Sequence, residues 1–152
     1  MIIPDIYVYA FGLVKGEMSI ALANLIAESD SDDRLHDHDF AEILDRNTSI
    51  NITCITALCK ALDSIRKEYW NSPIHVYYNS PYLKTILTKN DDNEWKTIPK
   101  ANIEYVEQMR ELISNFSNIE FIKYANNNEH YQKLKKIALD VVECEVDLDA
   151  QC

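Results

Sequence analysis

The alternation of hydrophobic and polar residues predicts three β-strands in the N-terminal third of the chain. Residues 6–9 (IYVY) are β-branched and aromatic, a composition that favours extended backbone. Residues 18–27 form a second apolar run, and residues 40–44 form a third. The polar segment between these two runs, SDSDDRLHDHD, predicts a loose hairpin loop.

The same polar segment leaves a second interpretation open. Asp37, His38 and Asp39 carry donor atoms that could hold a divalent metal ion. Like charges at this density in a flexible loop repel one another rather than converge. The pattern therefore favours a solvated loop over a metal site.

From residue 51 onwards the spacing of apolar residues becomes that of a helix with one buried face. Asn51 or Ser49 is expected to cap its start. The residues predicted to face the core are Ile55, Leu58, Cys59, Leu62 and Ile65. A strand at residues 74–78 (IHVYY) follows. Ser80 and Pro81 then have the residue types typical of a helix N-cap and first helical residue.

The rest of the chain continues in strands and helices. The remaining elements are predicted as a helix at residues 81–87, a polar loop at 89–100, a helix beginning at Asn102, a strand at 119–124 and a helix at 131–142. The order is therefore β-β-β-α-β-α-α-β-α. Three sequential strands suit an antiparallel meander, and the later strand–helix units suit parallel strands.

This order predicts an α/β fold with a five-stranded mixed sheet and helices on both faces. We expect one domain over residues 1–142, with residues 6–9 and 74–78 side by side in the middle of the sheet. Residues 143–152 are acidic, and they are predicted to form a flexible tail.

The charge of the chain bears on its partners. Its 152 residues include 15 Lys and Arg against 25 Asp and Glu, which gives a net charge of −10. Proteins that bind nucleic acid usually place basic residues against the phosphates, so this balance disfavours a nucleic-acid partner. A basic strip along Lys133, Lys135 and Lys136 keeps such a partner open.

The cysteines and the hydropathy of the chain bear on the compartment in which the protein is expected. The four cysteines lack the paired spacing of a zinc site, and Cys54 and Cys59 fall on the predicted buried face of a helix. No apolar run is long enough to span a bilayer, and the N-terminus does not have the pattern of a signal peptide. We expect a cytoplasmic protein (in the host cytoplasm or nucleus if viral), with no membrane partner and no cofactor.

Several short sequence motifs within this order of elements resemble motifs of the ribonuclease H family. Asn51 precedes the helical phrase ITALCKAL, as in the first helix of the family. Asn79-Ser80, followed by Tyr82, stands where the fourth strand of the family ends in Asp-Ser and an aromatic residue. FIKYA at residues 121–125 and KKIA at residues 135–138 match its fifth strand and last helix. The resemblance covers residues 5–142 and implies a ribonuclease H-like fold.

The resemblance also implies a catalytic site, in which four acidic residues hold two divalent ions that cut the RNA strand of a hybrid. On the matching positions this chain has Tyr9 (or the adjacent Ala10), Cys54 (or Thr53), Asn79 and Lys135. None of these side chains is a carboxylate. We therefore predict no metal ion and no enzymatic activity, and we expect Tyr9, Cys54, Asn79 and Lys135 to meet at the C-terminal end of the first strand.

Three functions follow from this interpretation. The first is a protein-interaction or scaffolding module, of viral or bacterial origin, in an assembly that processes nucleic acid; a homo-oligomer is left open. The second is a protein that binds RNA or an RNA–DNA hybrid without cutting it. The third is a metal-dependent nuclease with a remodelled site, for which the nearby candidate ligands are Glu17, Glu129, His130 and Asp140.

Exposed aromatic residues would be the natural anchors of a protein partner. The main candidates are Trp70, Tyr82 and Trp95, and the further ones are Tyr77, Tyr78 and Tyr105.

Overall fold

A five-stranded sheet in the order β3-β2-β1-β4-β5 forms the centre of the molecule. The structure is a computed structural model, and it describes residues 4–15, 17–28, 34–123, 129, 131–137 and 139–140. The strands are β1 Asp5–Lys15, β2 Met18–Glu28, β3 Arg34–Ile43, β4 Ile74–Tyr78 and β5 Ile119–Lys123. The helices are α1 Ile50–Asp63, α2 Pro81–Leu87 and α3 Ile103–Ile113, with a 3-10 turn at Lys67–Tyr69. Residues 131–137 are helical as well, and we call them the C-terminal helix.

The pairing of the strands confirms the predicted mixed sheet. β1 pairs antiparallel with β2, and β2 pairs antiparallel with β3. β4 lies parallel to β1 on one side and to β5 on the other. Ile6 is opposite Ile74 and Tyr9 is opposite Tyr77, so the two predicted central strands do lie side by side. The tail predicted at residues 143–152 lies outside the described residues.

β3 is longer than its hydrophobic pattern indicated. The mostly polar stretch Arg34–Asp39 belongs to the strand and pairs with β2 across a bulge, so the predicted hairpin loop is wrong over this stretch. Residues 29–33 lie outside the described part. β3 is an edge strand, where backbone pairing on one side is compatible with polar side chains on an exposed face.

The extended backbone of β3 also separates His38 from Asp39, two of the suggested metal ligands. Neighbouring residues of a strand point to opposite faces, so His38 and Asp39 do not converge on one ion. Asn24 Nδ2 donates a hydrogen bond to Asp39 Oδ1 at 2.6 Å. Among the described residues, no group of three His, Cys, Asp or Glu side chains is placed to hold a metal ion.

The helices cover the two faces of the sheet, as predicted. Ile6, Val8 and Ala10 on one face of β1 belong to the main core, together with the buried sides of α1, α2 and α3. Phe11, on the other face, packs with Leu134 of the C-terminal helix in a second, smaller core. None of the described helices is long and apolar enough to cross a membrane.

The helix starts follow local signals in the sequence. Ser49 caps α1, since its hydroxyl accepts a hydrogen bond from the Ile52 amide at 3.2 Å. Ser80 caps α2 by accepting from the Leu83 amide at 3.2 Å, and Pro81 is the first helical residue. Ser49 and Ser80 thus satisfy backbone N–H groups in the first turns of α1 and α2.

Candidate functional site

A cleft opens beside Gly12 of β1, where β4 ends and where α1 and α2 begin. Its volume is about 490 Å³. The described lining consists of Gly12, Ile50, Asn51, Cys54, Asn79, Ser80, Pro81, Tyr82 and Tyr131. The side chains of this lining are amides, hydroxyls, a thiol and apolar groups, and none belongs to Asp, Glu, His, Lys or Arg. The cleft can therefore form hydrogen bonds and apolar contacts, but these lining residues supply no charge.

Cys54 connects three elements at the floor of this cleft. Its thiol takes part in hydrogen bonds with the Ser80 side chain, after β4, and with the Gly12 backbone, in β1. The side chain is nearly fully buried. Gly12 allows α1 to approach the sheet, because a Cβ atom at this residue would lie 2.8 Å from Cys54 Sγ.

The burial of Cys54 also determines its reactivity. Desolvation raises the pKa of the thiol above its usual value, and the hydrogen bonds with Ser80 and Gly12 offset only part of this rise. The thiol therefore stays protonated at neutral pH. A thiolate is the reactive form of cysteine, so Cys54 is not an activated nucleophile.

The structure brings together two of the four positions that the resemblance singled out. Cys54 and Asn79 both line the cleft. The Tyr9 ring lies on the opposite face of the sheet and stacks on Tyr77, with ring centroids 4.8 Å apart. Residues on β1 alternate between faces, so Ala10 and Gly12 face α1, and Tyr9 does not.

Lys135 is also outside the described lining. It lies one helical turn beyond Tyr131, which is the residue of the C-terminal helix that reaches the cleft. Tyr131 makes an edge-to-face contact with Phe11, with ring centroids 5.1 Å apart. The first turn of this helix therefore adjoins the cleft, and of the four positions Cys54 and Asn79 are the two in the described lining.

The residues of the cleft do not fit the pair of divalent ions that the family resemblance implies. Such ions prefer anionic oxygen ligands, and the described lining contains no carboxylate. The nearby acidic candidates do not supply one: Glu17 pairs with Arg46 at 3.8 Å, and Glu129 and Asp140 are exposed outside this lining. His130 lies outside the described residues.

A magnesium titration tests this conclusion. We expect MgCl2 at about 10 mM, enough to fill a weak Mg²⁺ site, to change the melting temperature of the protein by less than about 1 °C relative to EDTA. The reason is that an ion which does not bind the folded state cannot stabilise it. Calcium chloride at the same ionic strength is the control. A rise of several degrees with Mg²⁺ alone would contradict this account of the cleft.

The three aromatic residues singled out as partner anchors occupy different surroundings. Trp70 packs edge-on against Phe116 at 6.1 Å, and its Nε1 donates to the Ile65 carbonyl at 3.4 Å. Trp95 lies against two cations, Lys89 and Arg110. Each of the two tryptophans is half-buried against the main core.

Tyr82 is the candidate anchor that reaches the cleft, and its hydroxyl accepts a hydrogen bond from Asn102 Nδ2 at 3.4 Å. Tyr105 is more exposed, with 45% of its surface accessible. The role of these residues as anchors stays a prediction.

The reasoning from sequence did not single out Gly12, Ile50 or Tyr131 as residues of the cleft. For Gly12 a signal was present in the sequence, because a glycine within a strand often marks a close approach of backbone. Tyr131 is the first residue of the helix predicted at 131–142, and its ring contacts Phe11. Its second contact, with the cleft, depends on where the helix crosses the sheet, and no local signal reports this.

The fold places the chain among known proteins. No family model matches the sequence, and no curated protein matches it significantly. Among solved structures, ribonuclease H1 from the archaeon Halobacterium salinarum is 18% identical, with a TM-score of 0.61, and the match covers 90% of this chain and 98% of that one. The N-terminal ribonuclease H domain of a Mycobacterium tuberculosis protein is also 18% identical, with a TM-score of 0.61 and coverages of 94% and 99%.

A third match is LC11-RNase H1, from a compost metagenome, in complex with an RNA/DNA hybrid. It is 16% identical, with a TM-score of 0.60, and the match covers 85% of this chain and 92% of that one. The chain has the ribonuclease H-like fold. At these identities the likeness shows the fold, which confirms the fold prediction from sequence.

These matches correct the prediction that the chain is not an enzyme. That prediction is contradicted, because the solved structures that share the fold are ribonuclease H enzymes and the fold is that of a nuclease. The prediction rested on the residue types at four positions. Two of them, Tyr9 and Lys135, do not line the cleft, so they are not the residues from which its chemistry should be judged.

Proposed function

We propose that this chain is a protein-interaction or scaffolding module built on the ribonuclease H-like fold. The observation that carries the proposal is the uncharged lining of the cleft. A cleft of amides, hydroxyls and tyrosine rings suits the backbone and side chains of a polypeptide, to which it offers hydrogen bonds and apolar contact.

The charge of the whole chain supports a protein partner over a nucleic-acid partner. The net charge of −10 repels a polyanion. One lysine of the basic strip, Lys133, has its Nζ 3.9 Å from Asp39, which offsets part of its positive charge. A partner of neutral or positive surface charge avoids this repulsion.

A second function is favoured by one comparison. LC11-RNase H1 was solved in complex with an RNA/DNA hybrid, and this chain shares its fold. Tyr82, Tyr131 and Asn79 could contact sugars and bases without using charge. Nucleic-acid binding is therefore the alternative that an experiment must separate from protein binding.

Fluorescence anisotropy with a labelled RNA–DNA hybrid separates the two functions. At about 50 mM salt we expect no saturable rise in anisotropy below about 100 µM protein, because cations do not line the described part of the cleft. The control is a single-stranded RNA of the same sequence. A saturable rise that weakens steeply with added salt would replace the proposed function with hybrid binding.

A further inference from the structure

A second concave surface lies between α1 and α3, separate from the cleft. Its volume is about 600 Å³. Ile55 and Cys59 of α1 and Leu112 of α3 form an apolar floor, and Tyr105 stands at its margin with 45% of its surface exposed. We call this surface the α1–α3 groove. Burial raises the pKa of Cys59 to about 11, with a smaller contribution from Asp63, so the floor is uncharged at neutral pH.

The rim of the α1–α3 groove is acidic. Asp63 and Glu111 line it from the two helices. Glu104 and Glu107 are exposed on α3 and precede Glu111 by seven and four residues, a spacing that places all three on one side of the helix. The three therefore form a negative stripe along the edge of the groove.

The basic residues near this stripe are engaged elsewhere. Arg110, the basic residue of α3, turns inward, and its Nη2 donates to the carbonyls of Ile86 and Thr97 at 2.9 Å each. Lys60, on the α1 side of the groove, forms an ion pair with Glu42 of β3. The negative charge along α3 is thus not neutralised by Arg110, and the lysine on the opposite wall already has a partner.

We propose that the α1–α3 groove binds an amphipathic helix of a partner protein, with apolar residues toward the floor and Lys or Arg toward the acidic rim. The inference rests on the proposed function and adds to the cleft a second surface, with the chemistry of the partner that this surface takes. Two packed helices offer a third helix a groove between their ridges. The volume suits a few apolar side chains of such a helix.

The negative charge of the rim favours a basic amphipathic helix over the other possible occupants of the groove. A nucleic acid would bring phosphates to the negative stripe and is repelled. A second copy of this chain is also disfavoured, because its net charge is −10. A basic amphipathic helix satisfies both the apolar floor and the acidic rim.

Synthetic helices test the groove with the full chain. The probe is a fluorescein-labelled peptide of about 14 residues, with Leu at helical i, i+3, i+4 and i+7 spacing and Lys elsewhere. A matched peptide carries Glu in place of Lys. We expect saturable binding of the Lys peptide and at least about tenfold weaker binding of the Glu peptide.

Variants locate the binding on the groove. Tyr105→Ala and Glu111→Lys change exposed residues, and each should weaken the Lys peptide by about tenfold. Leu112→Asp should abolish binding, and thermal denaturation checks that it still folds. Glu94→Lys makes the same charge change in the exposed loop before α3, and it should leave the affinity within about twofold.

Three outcomes would overturn the proposal. They are equal binding of the two peptides, an equal effect of Glu94→Lys and Glu111→Lys, and wild-type affinity in both Tyr105→Ala and Glu111→Lys. If the peptides fail while the chain still forms a complex with a native protein partner, the groove is not the site and the proposed function stands. If no protein partner is found, the proposed function itself fails.

Discussion

Replacing Arg110 with alanine should lower the free energy of unfolding by about 3 kcal/mol. Its Nη2 bonds the carbonyls of Ile86, at the end of α2, and Thr97, in the loop before α3. Its guanidinium carbon lies 4.7 Å from the centroid of the Trp95 ring. Burial lowers the pKa of Arg110, but a guanidinium remains charged at neutral pH. The substitution removes two donors from carbonyls and a cation from an aromatic face.

Urea denaturation measures this loss. Lys89→Ala is the matched control, because Lys89 Nζ also lies against Trp95, at 4.5 Å from the ring centroid. Lys89 is exposed, so its removal should cost less than about 0.5 kcal/mol. Arg110→Lys keeps the charge without the planar fork and should recover less than half of the loss. A loss below about 1 kcal/mol for Arg110→Ala would show that the side chain does not hold the loop.

Replacing Gly12 with alanine should lower the free energy of unfolding by about 2 kcal/mol. The new Cβ atom would lie 2.8 Å from Cys54 Sγ, 3.1 Å from the Cys54 amide nitrogen and 3.2 Å from Ile50 Cδ1. The first distance is too short for a carbon–sulfur contact, so α1 or the thiol must move. The substitution therefore reports how closely α1 approaches β1 at the cleft.

A double-mutant cycle with Cys54→Ala tests the cause. Removing Sγ relieves the shortest of the three contacts, so at least half of the cost of Gly12→Ala should disappear in the Cys54→Ala background. The coupling between the two substitutions should be about 1 kcal/mol, measured by urea denaturation of the four proteins. Costs that simply add would mean that the clash lies with the backbone of α1 and not with the thiol.

The sequence predicted the fold where local signals and pairing agree. Ser80 and Pro81 are strong signals of a helix start, and α2 begins where they indicate. The prediction of a loop at Arg34–Asp39 was wrong, because the composition of this stretch is that of a loop but its pairing with β2 keeps the backbone extended. Strand pairing of this kind depends on residues distant in sequence, which local propensity does not report.

The site was predicted only in part, because the face of the sheet on which a residue lies also depends on strand pairing. Cys54 and Asn79 were expected to meet and both line the cleft. Tyr9 was assigned to the same site, but a shift of one residue along a strand exchanges the two faces of the sheet. The structure assigns Ala10 and Gly12 to the side of α1. The resemblance therefore indicated the right strand and left Tyr9 and Ala10 open, and Ala10 is the one of the two that faces α1.

Binding of a protein partner is tested most directly by purifying the tagged full chain from the cells in which it is naturally expressed. RNA and DNA are digested with nuclease before elution. The proposed function predicts a protein that remains bound after digestion and that forms an equimolar complex with the chain when both are purified and mixed. Size-exclusion chromatography with light scattering measures the complex. Loss of the partner on digestion, or retention of RNA or DNA without a protein, would contradict it.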